Sequence, residues 1–242
     1  MKDAARIRSM FASISRRYDL LNHLLSFNRD TRWRKRAVAL SGVGPGARVL
    51  DVCTGTADLA LAYAECVGPD GYVVGADFCP EMLEIGTRKL GSLNGSGQIA
   101  GKVALLVADT LRIPFPDATF DVVSVAFGIR NVSDYRAGIC EMVRVAKPGG
   151  RVVILEFSLP ENRLFGGLYK FYFTRLLPVV GKAISGARND AYSYLPDSVL
   201  KFPEGEEMCA MLRQCGLENV SAQRMSMGIV TLYVGRKSYS ES

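Results

Sequence analysis

The chain has few of the residues that metal centres and disulfide scaffolds need. Its 242 residues include one histidine, His23, and six cysteines, with no Cys-x-x-Cys pair among them. A zinc site built from histidine and cysteine is therefore not expected, and no metal is predicted. Reduced thiols in a cytosolic protein are the simplest account of the cysteines.

Long apolar runs are also missing. No uninterrupted apolar stretch approaches the roughly 18 residues needed to span a bilayer, and the N-terminus lacks the apolar core of a signal peptide. A cytoplasmic protein is expected. The net charge of +6 and the pI near 9.0 fit an acidic partner or an anionic membrane surface, with a solvated basic face as the default explanation. Nucleic acid is not expected as a partner because the charge is not concentrated enough.

What the sequence does contain is a regular alternation of apolar runs and helical patterns. This rhythm predicts an α/β fold with a doubly wound parallel sheet and helices on both faces. The whole of 1–242 is interpreted as a single domain, since neither a second domain nor a repeat is visible. The predicted strands lie at 49–52, 72–77, 103–107, 120–127 and 151–157, and a strand pair at 220–227 and 228–235 closes the chain.

The N-terminal residues 3–40 are predicted to be helical. Apolar positions from Met10 to Leu25 recur at spacings of one, three and four, which gives one amphipathic face. The basic run at 32–36 contains the only tryptophan, Trp33. We expect a solvated basic helix face with Trp33 packed beneath it, and contact with phosphates is the alternative.

The stretch at 48–58 is the strongest local signal. A short strand with Asp51 near its end leads into the small-residue loop Cys-Thr-Gly-Thr-Ala and then into a helix. This geometry lets loop N–H groups and the helix dipole meet an anionic ligand group. The alternative is an ordinary strand-to-helix turn of an α/β protein. Gly55 is the position where a side chain would most obstruct close backbone approach.

Two more acids follow predicted parallel strands. Asp77 ends the second strand, about twenty residues beyond the glycine loop, where an acid can accept hydrogen bonds from ribose hydroxyls. The alternative is that Asp77 only caps the helix after it. Asp109 follows the third strand, so both acids are expected at the sheet edge where open α/β sheets bind ligands.

The segment at 164–180 differs in character from the rest of the chain. It is rich in aromatics but interrupted by Lys170 and Arg175, and it is too short and polar to span a membrane. It could form the wall of a pocket for a large apolar substrate or an interfacial surface helix. An ordinary core helix or a homodimer-packing helix is the alternative.

Several motifs together resemble one family over nearly the whole chain. Residues 49–58 and the Lys-Pro-Gly-Gly at 147–150 recur across many methyltransferases, whereas Phe-Gly-Ile-Arg-Asn-Val at 127–132 together with Tyr18 and Asp19 is more specific. The chain resembles the S-adenosylmethionine-dependent C-methyltransferases of menaquinone and ubiquinone biosynthesis. The Cys-Thr-Gly-Thr-Ala-Asp spelling of the loop is more similar to the menaquinone branch.

The resemblance implies a class I, Rossmann-like methyltransferase with a seven-stranded, mostly parallel sheet whose last strand is antiparallel. The segment 3–40 would be a lid and 160–200 a substrate-side insertion. S-adenosylmethionine would be the co-substrate. The family often has a serine where this chain has Ala126, so a contact there is absent or made by backbone. The implied cofactor-binding residues are Thr56, Asp77, Asp109, Thr110, Asp51, Gly55 and Ala126.

The same resemblance implies methylation of a ring carbon of demethylmenaquinol, a polyprenylated naphthoquinol. Such a substrate would give the protein a reason to associate with the inner face of the cell membrane. Arg130 is expected to stabilise a developing phenolate because a guanidinium stays charged and is a poor proton acceptor. Asn131 is expected beside the ring and Tyr18 to orient it from the lid. His23 is a weaker catalytic candidate because the family segment does not require it.

Other functions remain open at this point. A polyprenyl methoxy-benzoquinol is the alternative acceptor, and a non-catalytic quinone-binding scaffold is compatible with the fold. A nicotinamide-dependent oxidoreductase is disfavoured because the loop has one glycine where the dinucleotide turn needs three. An amino-group methyltransferase of RNA or protein is disfavoured because its Asn/Asp-Pro-Pro-Tyr signature is absent after the fourth strand.

Overall fold

A seven-stranded sheet forms the centre of the protein, as the resemblance implies. The computed structural model describes residues 4–95, 101–162, 166–167, 169, 174–175 and 191–239. The strand order is β3-β2-β1-β4-β5-β7-β6, and β7 runs antiparallel to both of its neighbours. The strands are β1 (Arg48–Val52), β2 (Tyr72–Asp77), β3 (Lys102–Val107), β4 (Phe120–Ala126), β5 (Ala146–Phe157), β6 (Leu217–Met225) and β7 (Val230–Lys237).

Helices cover both faces of this sheet because its central strands are apolar on both sides. In β1, Leu50 faces one hydrophobic cluster while Val49 faces another, as successive side chains of a strand must. The sheet order reverses between β1 and β4, which is where open α/β sheets form their ligand crevice. The helices are α1 (Ala4–Leu25), α2 (Arg29–Ser41), α3 (Asp58–Val67), α4 (Pro80–Gly95), α5 (Tyr135–Val145), α6 (Ala191–Leu200) and α7 (Glu206–Gln214).

The N-terminal region is helical, as predicted, but it consists of two helices. The turn between α1 and α2 places Phe27 and Asn28 at φ 53° and 57°, in the left-handed region. Trp33 is buried beneath α2 and lies 6.0 Å from the ring of Phe127, which confirms its predicted packing. Arg34, however, is buried and not part of the solvated face, because it pairs with buried Asp30.

The expectation of reduced thiols was wrong for two of the six cysteines, because a disulfide joins Cys140 to Cys215 with Cα atoms 5.1 Å apart. The Lys-Pro-Gly-Gly segment at 147–150 forms a bulge within β5, where Ala146 pairs with Phe120 and Arg151 pairs with Val122.

The segment at 164–180 lies almost wholly outside the described residues, as does most of the predicted insertion at 160–200. A pocket wall, a surface helix and a dimer contact all stay predictions for that segment. Within the described ranges no helix is both long and apolar enough to cross a bilayer. The described part of the insertion includes α6, which packs against α1.

Candidate active site

One cleft opens at the carboxyl ends of the parallel strands. It encloses about 720 Å³, including its open mouth, and Phe11 and Tyr18 of α1 form part of its wall. Seven of the ten predicted site residues line it, so residues far apart in sequence meet at the sheet edge where they were expected. These seven are Tyr18, Gly55, Asp77, Asp109, Thr110, Ala126 and Asn131.

Asp77 is held firmly at the end of β2. Its carboxylate accepts hydrogen bonds from the backbone N–H of Gly55 at 2.8 Å and of Cys79 at 2.9 Å. Burial raises the pKa of Asp77, while these N–H donors act in the opposite direction. Because a carboxylate offers about four lone-pair sites, it can still accept bonds from a ligand hydroxyl in the cleft.

Gly55 has a conformational reason for being glycine. Its φ of 58° is in the left-handed region. A Cβ built there would meet Met82 and Tyr18 only at 4.0 Å, which is ordinary contact, so crowding within the protein is not the reason. The open space in front of Gly55 belongs to the cleft.

Asp51 supports the loop from below and is not among the lining residues. It is buried, and its two oxygens accept hydrogen bonds from Thr54 Oγ1 at 2.6 Å and Ser124 Oγ at 3.1 Å. Burial raises the pKa of Asp51 to about 7. Its observed contacts therefore bind the glycine loop to β4.

Thr56 connects the loop to the N-terminal helix. Its hydroxyl donates to Asp19 Oδ1 at 2.6 Å and accepts from Lys89 Nζ at 3.1 Å. Lys89 in turn lies 2.7 Å from Asp19 Oδ2 and 2.5 Å from Asp58 Oδ1. Thr56 is thus buried in a network that joins α1, α3 and α4, and it does not line the cleft.

Arg130 is tied to a buried acid behind the cleft. Its Nη1 lies 2.8 Å from Glu156 Oε2 and also donates to the carbonyl oxygen of Phe127 at 2.5 Å. The guanidinium stacks 5.4 Å from the centre of the Phe157 ring. Arg130 is only 5% exposed and absent from the cleft wall, whereas its neighbour Asn131 lines it.

Two side chains near this point hold buried polar atoms that the described residues do not satisfy. Asn131 Oδ1 and the Tyr194 hydroxyl are buried without a hydrogen-bond partner among the described residues. Burial raises the pKa of Tyr194, with the charge of Arg130 acting against that rise. Since Asn131 lines the cleft, its unsatisfied acceptor suits a hydroxyl of a bound ligand.

His23 lies apart from the cleft wall. Its Nδ1 is 2.9 Å from Asp30 Oδ2, and ligand atoms of His23, Asp30 and Asp58 lie within 4.8 Å of one another. Arg34 already sits against both acids, at 2.5 Å from Asp30 and 3.5 Å from Asp58. The cluster is therefore occupied by a guanidinium of the chain itself.

Close backbone approach shapes the floor of the cleft. Cys53 and Phe127, directly after β1 and β4, have φ of 50° and 58°. A Cβ on Gly128 would come within 2.3 Å of Cys53 Cβ, so only glycine fits there. Such left-handed non-glycine residues cluster at functional sites.

Nine lining residues were not predicted as site residues. Cys53, Phe78 and Phe127 directly follow strand ends, so the rule that located Asp77 would have located them too. Gly128 and Val132 lie in the motif at 127–132. For the remaining four the sequence shows no comparable signal, because the folding of loops and helices brings them to the cleft. The nine are Phe11, Cys53, Phe78, Met82, Leu111, Phe127, Gly128, Val132 and Ser133.

Comparison with known proteins gives consistent results. The model of the ubiE/COQ5 methyltransferase family matches residues 1–237. The ubiquinone/menaquinone biosynthesis C-methyltransferase UbiE of Geobacter sulfurreducens is 49% identical, covering 96% of this chain and 88% of that protein. The demethylmenaquinone methyltransferase of Thermus thermophilus is 47% identical, covering 93% of this chain and 99% of that protein.

The fold also has solved counterparts. A SAM-dependent methyltransferase from Aquifex aeolicus superimposes with a TM-score of 0.59 at 21% identity, covering 84% of this chain and 88% of that chain. At this identity the likeness concerns the fold alone. The predicted class I, Rossmann-like architecture is confirmed.

Proposed function

The chain belongs to the ubiE/COQ5 methyltransferase family, and from that premise we propose that it transfers a methyl group from S-adenosylmethionine to a ring carbon of demethylmenaquinol. The observation that carries this proposal is the convergence of seven predicted residues on one cleft beneath α1. The product would be menaquinol. Quinone-biosynthesis C-methylation is the activity that the relatives' names describe.

The cleft suits S-adenosylmethionine at the ends of β1, β2 and β3. Asp77 would accept hydrogen bonds from the ribose hydroxyls, while Asp109 and Thr110 would contact the adenine. Gly55 leaves backbone exposed to the cleft, where loop N–H groups would meet the methionyl carboxylate. When bound, this co-substrate supplies an electrophilic methyl group, so the protein must align that group with a ring carbon and favour loss of the proton from the neighbouring ring hydroxyl.

Asp51 and Thr56 are proposed to act through the loop. Their side chains are engaged by Thr54, Ser124, Asp19 and Lys89, as described above. The bonds of Asp51 hold the loop at Thr54, and the bonds of Thr56 hold it at Thr56 itself. We therefore assign both residues to positioning the loop that receives the co-substrate.

The quinol ring is proposed to bind between Tyr18 and Asn131. Burial raises the pKa of Tyr18, so its hydroxyl stays protonated and can donate a hydrogen bond to an oxygen of the ring. The buried Asn131 Oδ1 would accept one from a ring hydroxyl. These contacts would hold one ring carbon in line with the methyl group and exclude water from it.

The ion pair with Glu156 alters the role proposed for Arg130. A guanidinium already bound to a carboxylate gives little net charge to a phenolate. Its bonds to Glu156 and to the Phe127 carbonyl instead hold the residues on either side of the cleft floor. Arg130 is therefore a positioning residue in this proposal, and Asn131 is the group that touches the ring.

The acceptor is tested with labelled methyl transfer. Purified protein with radiolabelled S-adenosylmethionine should label a reduced demethylmenaquinol, and the same assay on a polyprenyl methoxy-benzoquinol tests the alternative. Label on the benzoquinol alone would refute the proposed acceptor. Binding of S-adenosylmethionine without label on either quinol would favour a scaffold.

The residue roles are tested by comparing three variants. Asn131→Ala should reduce kcat at least tenfold, since one lost hydrogen bond in the transition state is worth about 1.5 kcal/mol or more. Arg130→Ala should also reduce kcat, and intact turnover in it would remove Arg130 from the mechanism. His23→Ala should turn over normally because His23 is outside the cleft wall.

The polyprenyl tail of the proposed substrate is a reason to expect that the protein acts at a membrane surface. A tail of this kind partitions into the bilayer, so its ring reaches the cleft only when the protein approaches the lipid surface. Reversible association with anionic membranes is therefore part of the proposal. Co-sedimentation with liposomes at low salt tests it directly.

A further inference from the structure

The net positive charge of the chain is concentrated in its first two helices, more than the overall composition led us to expect. We call α1, α2 and the turn between them the N-terminal hairpin, residues 4–41. It contains nine Lys and Arg against two Asp, a net charge of +7, whereas the rest of the chain has 21 basic and 22 acidic residues, a net charge of −1. The mildly basic character of the whole protein is therefore a property of this hairpin.

The hairpin presents basic side chains outward on α2. Arg29, Arg32, Lys35 and Arg36 are exposed, at spacings of three and four that place them along one side of the helix. The other side of α2 is buried against the sheet. We call these four residues the basic stripe.

The two acids of the hairpin do not neutralise this stripe. Asp30 is buried and its carboxylate is paired with Arg34 at 2.5 Å. Asp19 is half-buried and lies 2.7 Å from Lys89 of α4. Both carboxylates thus face inward, and the outer surface of α2 is left positive.

Two large apolar side chains of the N-terminal hairpin are also exposed. Phe27, at the tip of the hairpin, is 78% exposed, and Leu20 on α1 is 63% exposed. Phe27 lies in the turn after α1, two residues before Arg29, which is the first residue of the basic stripe. An exposed phenylalanine next to a row of cations is the pattern of a protein that binds the boundary between lipid headgroups and acyl chains.

We propose that the N-terminal hairpin docks the protein on an anionic phospholipid surface. Phe27 and Leu20 enter the headgroup region, and the basic stripe contacts lipid phosphates. The choice of lipid over nucleic acid rests on the proposed polyprenyl acceptor and on the exposed apolar tip. Phe11 and Tyr18 on α1 line the cleft, so docking through this hairpin brings the cleft mouth to the membrane.

Vesicle co-sedimentation of the full chain, without substrate, tests this surface. On vesicles with about 30% anionic phosphatidylglycerol, each surface cation should raise the affinity of the protein for the vesicle about fivefold. The double variant Arg32→Gln/Lys35→Gln should therefore bind about 25-fold more weakly. Phe27→Asn, which suits the left-handed φ at that position, should lower affinity about tenfold by removing the inserted ring.

A matched pair controls for overall charge. Arg48→Gln/Lys102→Gln removes the same charge from exposed positions at the amino ends of β1 and β3, the sheet edge opposite the cleft. This variant should bind vesicles within about twofold of the parent, since those charges lie away from the surface. An equal loss in both pairs, or no loss in either hairpin variant, overturns the proposal.

Two further measurements test this proposal. One tests nucleic acid as a competing partner, and the other distinguishes failure of the docking from failure of the proposed function. Tighter binding to single-stranded RNA than to the vesicles would assign the stripe to nucleic acid and overturn the lipid docking. Methyl transfer to a water-soluble demethylmenaquinol with a truncated tail should be equal in the parent and the hairpin variants. Vesicle binding that depends on the hairpin, without methyl transfer by the parent, would refute the proposed acceptor and leave the docking surface intact.

Discussion

The ammonium of Lys89 lies 2.7 Å from the carboxylate of Asp19, and this contact joins α4 to the N-terminal helix that covers the cleft. The same ammonium reaches Asp58 and Thr56, so one lysine connects the covering helix, the glycine loop and the start of α3. Tyr18 is adjacent to Asp19 on α1. The position of Tyr18 in the cleft wall therefore depends on Lys89, a residue of α4.

Lys89→Met should loosen α1 from the rest of the protein. Two part-buried carboxylates each lose one of their partners, which costs about 1 kcal/mol because all three side chains are partly exposed to solvent. Hydrogen exchange in α1 should accelerate, and KM for S-adenosylmethionine should rise.

The neighbouring exposed residue supplies the control for this change. Arg88→Met removes the same charge type one position earlier in α4. Its stability should stay within about 0.5 kcal/mol of the parent. Equal exchange rates in α1 of both variants would argue against the Lys89 contact as the restraint.

The ion pair between Arg130 and Glu156 can be tested by a double-mutant cycle. Both side chains are buried, so Arg130→Met or Glu156→Gln alone should cost about 3–5 kcal/mol in urea unfolding. The double variant Arg130→Met/Glu156→Gln should cost less than the sum of the two, because neither charge is then left unpaired.

The kinetics of the same variants distinguish two roles for Arg130. A positioning role predicts that Glu156→Gln lowers kcat much as Arg130→Met does, at a temperature where both are folded. Direct stabilisation of a phenolate predicts that Glu156→Gln keeps most of its activity, since the guanidinium remains and has lost its counter-charge. The second result would restore the role expected from the sequence.

Asp51 should make the protein less stable as pH rises. Its pKa is raised to about 7 in the folded state from 3.8, so between these values the folded chain binds a proton that the unfolded chain does not. The free energy of unfolding therefore falls as pH rises through that interval, by roughly 4 kcal/mol from this group. In Asp51→Asn this contribution should vanish, as measured by urea unfolding from about pH 5 to about pH 8.

Asp121 should affect the pH dependence of stability in the opposite direction, so it serves as a control. Burial would raise its pKa, but the bonds from Lys147 and the Arg48 N–H hold that pKa below its usual range. Its contribution to stability is therefore present at neutral pH and lost as pH falls through the lowered pKa.

The Asp51 prediction has a contrary outcome. If the difference in unfolding free energy between Asp51→Asn and the parent did not change over this pH range, Asp51 would be ionised in the folded protein throughout it.

Gly128 should not tolerate a methyl group. In Gly128→Ala the new Cβ would lie 2.3 Å from Cys53 Cβ, and relief of this overlap should cost about 1–3 kcal/mol. Cys53→Gly in the same chain removes the opposing atom and suits the left-handed φ at that position. The double variant should regain most of the loss in Tm.

Gly44→Ala is the matched control for Gly128→Ala. A Cβ there has nothing within 4 Å, so Tm should change little. If Gly128→Ala were as stable as this control, the close approach of the two strand ends would not be a constraint on the cleft floor.

The sequence by itself determined the sheet and the edge at which the site lies. Continuous apolar strands such as β4 are buried on both faces whatever surrounds them, and an acid after a parallel strand reaches the same edge in any such sheet. The location of Asp77, Asp109 and Gly55 on the cleft wall was therefore predictable. The motif at 127–132 likewise determined the family.

Tertiary structure decided what each of these side chains contacts. Arg130 and Thr56 were predicted to meet ligands, but their side chains bond to Glu156, Asp19 and Lys89, which follow no fixed spacing in the sequence. The disulfide and the bulge in β5 also depend on pairings between distant segments. A strand pattern fixes where a residue emerges from the sheet, whereas its partner is set by how helices pack across that edge, and local sequence does not encode that packing.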